Sequence, residues 1–392
     1  MKAQRQSSDR ISNLPQDIIE KILTFMPIRD ALKTSILSKK WRHCWKGMPK
    51  LVFDDRLSNV SSDMEDVKKY KLVITIFHVL LLHRGPILEL CICISDEEIF
   101  NEIDQIILHL SWSKNIKKFI FEVYQFDEYY KLPSSFFSLQ GLEHLFLKYC
   151  IIELPSTFNE FSMLKSLKFY EVYITATMLK RFLISCPLLE EFTWVNKIGY
   201  DCLDFTGGNK CTFVELFTCL PSAQVVNISW FENKDFYAGV MSQKLPTSLV
   251  YLRILVLQVC FHEQDQISST LCVINSSPNL EKINLRMIRY VAQTCTTLLD
   301  PQDYFGLKLD HLKELVITSF HNYASEMEFV KLIMGKSPLL KKTRIKLSTS
   351  VSVEEEVKML RDLVYLQFPR ASPEAKLIIE RPKTLPAKAV KF

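Results

Sequence analysis

A six-residue theme, apolar-x-x-apolar-x-apolar, recurs from residue 87 onward and limits what this chain can become. It reads Ile116-Lys-Lys-Phe119-Ile-Phe121, Leu142-Glu-His-Leu145-Phe-Leu147, Leu164-Lys-Ser-Leu167-Lys-Phe169 and Leu189-Glu-Glu-Phe192-Thr-Trp194. It returns as Leu252-Arg-Ile-Leu255-Val-Leu257, Leu280-Glu-Lys-Ile283-Asn-Leu285, Leu312-Lys-Glu-Leu315-Val-Ile317 and Leu340-Lys-Lys-Thr343-Arg-Ile345, with a degenerate copy at Ala223-Gln-Val-Val226-Asn-Ile228. The last three positions alternate, so each copy predicts a short strand with one apolar face. One such strand cannot bury that face alone. Copies stacked side by side form a parallel sheet over a continuous core.

The stretches between copies carry the other half of each repeat. Thr177–Ser185 and Glu326–Gly335 have helical spacing and are expected to return the chain along the outer side. Ser185-Cys-Pro187, Ser277-Pro278 and Ser337-Pro338 precede copies of the theme, where proline ends a helix and turns the chain into the next strand. Leucine-rich repeats run ~20–29 residues, and the steps here are ordinary to stretched. The predicted fold class is therefore an α/β solenoid, a horseshoe with its parallel sheet on the concave face.

Composition narrows the alternatives. Nine glycines in 392 residues is about a third of the usual ~7%. Phosphate loops and two-residue hairpins both need glycine, so its scarcity argues against a dinucleotide fold and an all-hairpin protein. The net charge of +5 permits an acidic partner without calling for nucleic acid. Eleven cysteines are scattered, often inside apolar runs such as LELCICIS, and none forms a C-x-x-C pair. They read as reduced, buried thiols. MKAQRQSSDR has no apolar signal core, and the run Leu72–Leu82 is shorter than the ~20 residues of a spanning helix. The expected compartment is cytoplasm, nucleus or both, with no membrane partner.

The first fifty residues have a different texture. Ser12 and Asn13 are helix-start residues, and Pro15 suits a first helical turn. Ile18, Ile19, Ile22, Leu23 and Met26 recur at helical spacing as one apolar face, which Pro27 ends. A second helix is expected from about Asp30 and a third around Trp41 and Trp45. About forty residues rarely bury enough apolar area to fold alone, so this unit is expected to complete its core against something else.

Leu14-Pro15-x-Asp17-Ile18-Ile19, then Leu23, Pro27 and Ala31, then Leu37-Ser38-Lys39-Lys40-Trp41-Arg42 with Trp45, resembles an F-box over residues 9–50. The C-terminal stretch Leu309–Leu347, with Glu326-Met-Glu328-Phe329-Val330-Lys331 and a following Ser-Pro strand, is similar to the FBD segment of plant F-box leucine-rich-repeat proteins. An acidic linker at Glu354–Glu356, a helix and a last strand at Ala375–Ile379 are expected after it, capping the open edge of the sheet. The expected organisation is a disordered lead at 1–8, an F-box at 9–50, repeats at 51–304, the FBD segment at 305–380 and a flexible tail at 381–392.

The resemblance implies a short all-α trihelical F-box that binds a Skp-type adaptor, and through it a cullin and a RING protein, as an SCF ubiquitin ligase. It implies adaptor contacts at Leu14, Pro15, Ile18, Ile19, Ile22 and Leu37, with Lys39, Lys40, Arg42 and Lys46 as a basic edge. The chemistry of such a complex belongs to the partner enzymes, and none is expected here. No phosphate loop or nucleophile elbow is present, no cofactor or metal is called for, and the His262-Glu263 start of a zinc helix has Gln266 where the second histidine must stand.

Target binding is expected on the variable positions of the strands. They run from Lys118, Ile120 and Glu122 through Ser166, Thr193 and Gln258, and the positions selected for the target are His144, Phe146, Lys148, Lys168, Tyr170, Glu191, Lys282 and Arg286. Their mixed character suits a protein partner more than nucleic acid. The basic cluster Lys341, Lys342, Arg344 and Lys346 reads as a solvated strand edge. Two rival functions remain: a Skp-binding scaffold without a degradation role, and a co-receptor that needs a small molecule.

Overall fold

The computed structural model describes residues 11, 14–54, 65–95, 97–112, 115–124, 129–196, 212–229, 234–237, 244–288, 306–349, 352–365 and 371–381. The expected lead at 1–8, Ser12 and Asn13, and positions 382–392 of the expected tail lie outside them. The chain divides into two compact units: Met1–Met178 with Ser185–Leu188, and Leu179–Ile184 with Leu189–Phe392.

The first unit begins with α1 (Gln16–Leu23), α2 (Ile28–Thr34) and a 3-10 turn over Trp41–Gly47. Pro15 and Pro27 each stand just before a helix, and their carbonyls accept the early helical N–H groups: Ile19 N–H to Pro15 O at 3.1 Å, Ala31 N–H to Pro27 O at 3.0 Å. Both prolines thus open helices, because a residue lacking N–H and fixed near φ −60° loses nothing there. This corrects the expectation that Pro27 ends the first helix, which closes at Thr24, and that the second starts near Asp30. The third segment is 3-10 rather than α, a geometry used in short pieces. Trp41 and Trp45 are nonetheless both buried.

The rungs of the first unit are β1 (Lys50–Asp54), β2 (Glu89–Ile94), β3 (Lys118–Val123), β4 (Tyr130–Lys131), β5 (His144–Ile151) and β6 (Ser166–Tyr173), with α3 (Glu65–Leu82) and α4 (Phe100–Ser111) between them. β1, β2, β3, β5 and β6 pair in parallel in that order, and β4 adds to β5. Two rungs, β1 and β2, precede the nine copies read from the sequence. β1 follows the helical module at once, so the repeat stack starts where that module stops. α5 (Ala176–Ile184) comes next in the chain.

The second unit carries β7 (Glu191–Val195), α6 (Phe213–Thr218), β8 (Val225–Ser229), α7 (Lys234–Tyr237), β9 (Ile254–Cys260), α8 (Gln264–Asn275) and β10 (Lys282–Ile288). β11 (Glu314–Phe320), α9 (Ala324–Gly335), β12 (Lys342–Leu347), α10 (Val353–Tyr365) and β13 (Lys376–Glu380) complete it. Its strands pair in parallel in chain order. Glu354–Glu356 form the first turn of α10, not a linker. Three carboxylates suit the positive end of a helix, and Ser352 caps it: its Oγ accepts Glu355 N–H at 3.2 Å while Glu355 accepts Ser352 N–H at 2.9 Å.

Many rungs are tied to their neighbour by the same two-pronged hydrogen bond. Lys117 O accepts from Glu143 and His144 N–H, Glu143 O from Lys165 and Ser166, Arg253 O from Glu281 and Lys282, and Glu281 O from Lys313 and Glu314. In two stretches the side chains at the same step alternate in sign. Lys117 and Lys165 flank Glu143 at 2.9 and 3.0 Å, and Arg253 and Lys313 flank Glu281, both at 2.6 Å. The theme leucines behind them, such as Leu142, Leu164, Leu280 and Leu312, are fully buried.

The Ser-Pro steps close the helices by side-chain hydrogen bonds. Ser277 Oγ donates to Val273 O at 2.7 Å and Ser337 Oγ to Ile333 O at 2.6 Å, and both serines are buried. The carbonyl just ahead of each then receives the N–H of the turn before the preceding rung: Leu249 N–H to Ser276 O, Leu309 N–H to Lys336 O. With glycine so scarce, left-handed backbone falls to other residues. Tyr149, Glu171 and Ser319 all have φ between 51° and 59°, each at the sixth residue of its strand. There the ladder skips a residue, as between Ile317 and Phe320.

Candidate functional site

The helical module separates its apolar side chains into two sets. Ile19, Leu23, Ile28, Ala31, Trp41, Cys44, Trp45 and Met48 are buried and form its core. Trp41 Nε1 donates to Ile11 O at 3.3 Å, and Lys40 Nζ donates to Leu14 O, so the segment ahead of α1 is held against the last turn. The second set faces solvent: Ile18 at 40% exposure, Ile22 at 39%, Phe25 at 84%, Ile36 at 87% and Leu37 at 57%. α1 therefore has two apolar faces, where the sequence spacing predicts one. Ile18 and Ile22 are four apart on the outer face, and Ile19 and Leu23 on the inner.

Among the adaptor residues expected from the sequence, Pro15, Ile18, Ile22 and Leu37 are exposed and Leu14 is half-buried. Ile19 is fully buried, because a residue one position from Ile18 is rotated ~100° away and falls on the core side. Its contribution is to the fold of the module. Phe25 and Ile36 are the most exposed apolar side chains here, and the sequence reading does not single them out. The available signal was that both stand out of phase with the buried stripe. Within the basic edge, Lys39 and Arg42 are exposed, whereas Lys46 Nζ lies 5.8 Å from the Trp45 ring centroid.

On the rungs of the first unit, the outward positions of β5 and β6 come together. Phe146 is in register with Lys168, and Lys148 with Tyr170. The Phe146 and Tyr170 rings stack with centroids 5.1 Å apart and planes 26° apart. Lys148 Nζ sits 4.6 Å from the Tyr124 ring centroid and 3.9 Å from Glu122. Cation and carboxylate thus frame an aromatic pair, with His144 exposed at the start of β5. Arrangements of this kind suit a protein surface, since aromatics supply contact area and the charges supply direction.

The other selected positions stand in the second unit. Glu191 starts β7, Lys282 is paired to Glu314 at 2.8 Å, and Arg286 is exposed on β10. Three variable positions are buried instead of outward. Ser166 and Thr193 are short and lie in register with the longer His144 and Asn227; Gln258 lies in register with Arg286. In the basic cluster, Arg344 reaches Glu380 at 3.3 Å.

Cys44, Cys91, Cys93, Cys150, Cys186, Cys219, Cys260 and Cys272 are thiols, and all but Cys91 and Cys219 are buried. Burial pushes the Cys186 thiol up to about 12 and raises that of Cys44. Cys202, Cys211 and Cys295 lie outside the described residues. Gln266, standing where a zinc helix needs histidine, accepts the Cys260 N–H at 2.8 Å. Among the described residues, no cluster of three or more His, Cys, Asp or Glu side chains is placed to hold a metal ion, and no helix is long and apolar enough to cross a membrane.

A small helical module with exposed apolar side chains, followed by parallel repeats with leucine at most turns, is the plan of an F-box leucine-rich-repeat protein. The F-box domain family matches residues 11–53, and the family described as "FBD-associated F-box protein At5g56370, LRR repeats" matches residues 105–219. The chain is 30% identical to the F-box/FBD/LRR-repeat protein At1g13570 of Arabidopsis thaliana, across 95% of this chain and 99% of that one. It is 25% identical to the F-box/FBD/LRR-repeat protein At2g04230 of the same plant, across 72% and 75% of the two chains. This chain belongs to the F-box/FBD/LRR-repeat family.

Proposed function

We propose that this protein is the substrate-recognition subunit of an SCF-type ubiquitin ligase: its F-box docks on a Skp-type adaptor, which joins it to cullin and RING subunits, and its repeats hold a target protein for ubiquitination. The observation that carries this reading is the outer face of the module. Ile18, Ile22, Phe25, Ile36 and Leu37 are exposed although the core beneath them is already filled. Several large apolar side chains left exposed in so short a module are a protein-docking signature. The exposed cations Lys39 and Arg42 suit an acidic adaptor.

The rung surface around Phe146, Lys148, Lys168 and Tyr170 is the target-binding candidate. The chain itself contributes proximity: holding a target near the loaded ubiquitin enzyme turns a bimolecular encounter into a local one. It works without a cofactor in the cytoplasm or nucleus. Co-purification with a recombinant Skp-type adaptor and cullin tests the reading. Retention of both, lost in the Leu14→Ala, Pro15→Ala variant, is the expected result. Failure of the unmutated chain to retain the adaptor overturns it, and retention of adaptor without cullin favours a scaffold.

A further inference from the structure

β2 presents two thiols on one side of one strand. Cys91 and Cys93 are two residues apart, so both side chains leave the strand in the same direction, and their sulfurs lie 3.6 Å apart. Cys91 is half-buried and Cys93 is 3% exposed, which leaves the first open to small reagents and the second behind it. In register beside Cys91 stand Val52 and Ile120; beside Cys93 stand Asp54 and Glu122. Among the described cysteines, this is the one recorded thiol–thiol contact.

We propose that Cys91 and Cys93 form an oxidisable dithiol that closes into a disulfide within β2 under hydrogen peroxide and reopens under a thiol reductant. The Cys91 thiolate attacks one peroxide oxygen. The O–O bond breaks, Cys91 becomes a sulfenic acid, and the departing hydroxide takes up a proton to leave as water. The Cys93 sulfur then attacks the Cys91 sulfur. The S–O bond breaks, and the hydroxyl leaves with the Cys93 proton as a second water. Two thiols and one peroxide give one disulfide and two waters, with both sulfurs oxidised and the peroxide reduced.

The environment assigns the order of events. The hydrogen bond with Cys93 lowers the Cys91 thiol from its ordinary range, against burial and the nearby carboxylates of Glu122 and Asp54. The same contact, then burial, raises Cys93. Nucleophilic attack follows thiolate character and access, and both favour Cys91.

Strand geometry makes the bond reversible. Residues two apart in a strand separate their Cα atoms by about 6.6–6.8 Å, the outer limit of the ~4.4–6.8 Å that a disulfide spans. Closure therefore shortens β2 locally, and a strained disulfide is the more easily reduced. Because β2 is hydrogen-bonded on both sides, the shortening is felt by β1 and β3.

The test treats the folded full chain with graded hydrogen peroxide, alkylates the remaining thiols, and weighs the tryptic peptide 85–114, which carries these two cysteines and no other. The expected result is loss of two hydrogens and of both alkylation sites, restored by dithiothreitol. Amide exchange at 52–54 and 120–122 should quicken in the oxidised chain. In Cys91→Ser, Cys93 should stay alkylatable after unfolding. The proposal is overturned if peptide 85–114 keeps two alkylatable thiols at peroxide levels that oxidise Cys219. It is also overturned if Cys91 gains oxygen without losing hydrogens, or pairs with a cysteine outside this peptide.

Discussion

Replacing Ile18 and Ile22 together by alanine isolates the outer face of α1 from its inner one. The two side chains are 40% and 39% exposed, so about four-fifths of one isoleucine's surface awaits a partner. Full burial of such a side chain is worth about 1.5–3 kcal/mol, which puts the loss on truncation at about 1–2 kcal/mol. That is about a 5- to 30-fold weaker complex. Isothermal titration against a purified Skp-type adaptor reads it directly, with circular dichroism to show that the helices persist. The comparison is Ile19→Ala on the same turn. Ile19 is fully buried, and its truncation should cost about 2–5 kcal/mol of stability, felt as a loss of the module's cooperative unfolding. If the Ile18/Ile22 variant binds as tightly as the unmutated chain, the outer face is not the docking surface.

Three further outcomes follow from the structure. Phe146→Ala with Tyr170→Ala removes a stacked pair worth about 0.5–1.5 kcal/mol beyond its area, so captured target should fall in a pull-down while adaptor retention is unchanged; equal loss of both would refute a separate target face. Glu326 is 1% exposed and accepts the N–H groups of His321 and Tyr323 at 2.9 and 3.2 Å. Glu326→Gln should therefore lower stability by about 1–3 kcal/mol, read from the urea midpoint. Hydrogen bonds from Lys117 and Lys165 pull the Glu143 carboxyl down to about 2. A depressed carboxyl stabilises the fold above its unfolded range of about 4.3 and loses that contribution as pH falls through its folded value. An NMR titration should thus place the Glu143 midpoint at about 2, and a midpoint in the ordinary range would show that the ion pairs do not persist in solution.

The repeats were legible because their signal is periodic and redundant. A buried leucine at most turns repeats often enough to outvote any single chance match, and Thr177–Ser185 and Glu326–Gly335 emerge as α5 and α9 within a residue or two. β1 and β2 also fit the apolar frame, as Met48-Pro-Lys-Leu51-Val-Phe53 and Ile87-Leu-Glu-Leu90-Cys-Ile92, but a single copy arises by chance in an apolar run, and it is pairing, which is not written locally, that places them in the stack. The two faces of α1 were hidden for another reason. Spacing marks which residues are apolar, but four isoleucines and leucines in one short helix spread over an arc of about 140°, and only tertiary packing decides which side is covered. Buried Ser166, Thr193 and Gln258 make the same point on the rungs: alternation sets direction, while neighbouring side-chain length sets exposure.

The alternating charges across the rungs, positive at Lys117, negative at Glu143 and positive at Lys165, then Arg253, Glu281 and Lys313, impose a parity rule on the stack. Excising the rung that carries Glu143 would bring Lys117 against Lys165, and excising the one with Glu281 would bring Arg253 against Lys313. Like charges directly opposed on neighbouring strands are unfavourable. Duplicating one rung would likewise repeat a sign, whereas duplicating two adjacent rungs, such as those of Lys117 and Glu143, keeps the alternation. Duplication within either stretch is therefore tolerated best in pairs, and lengthening by recombination between its copies is biased toward even steps.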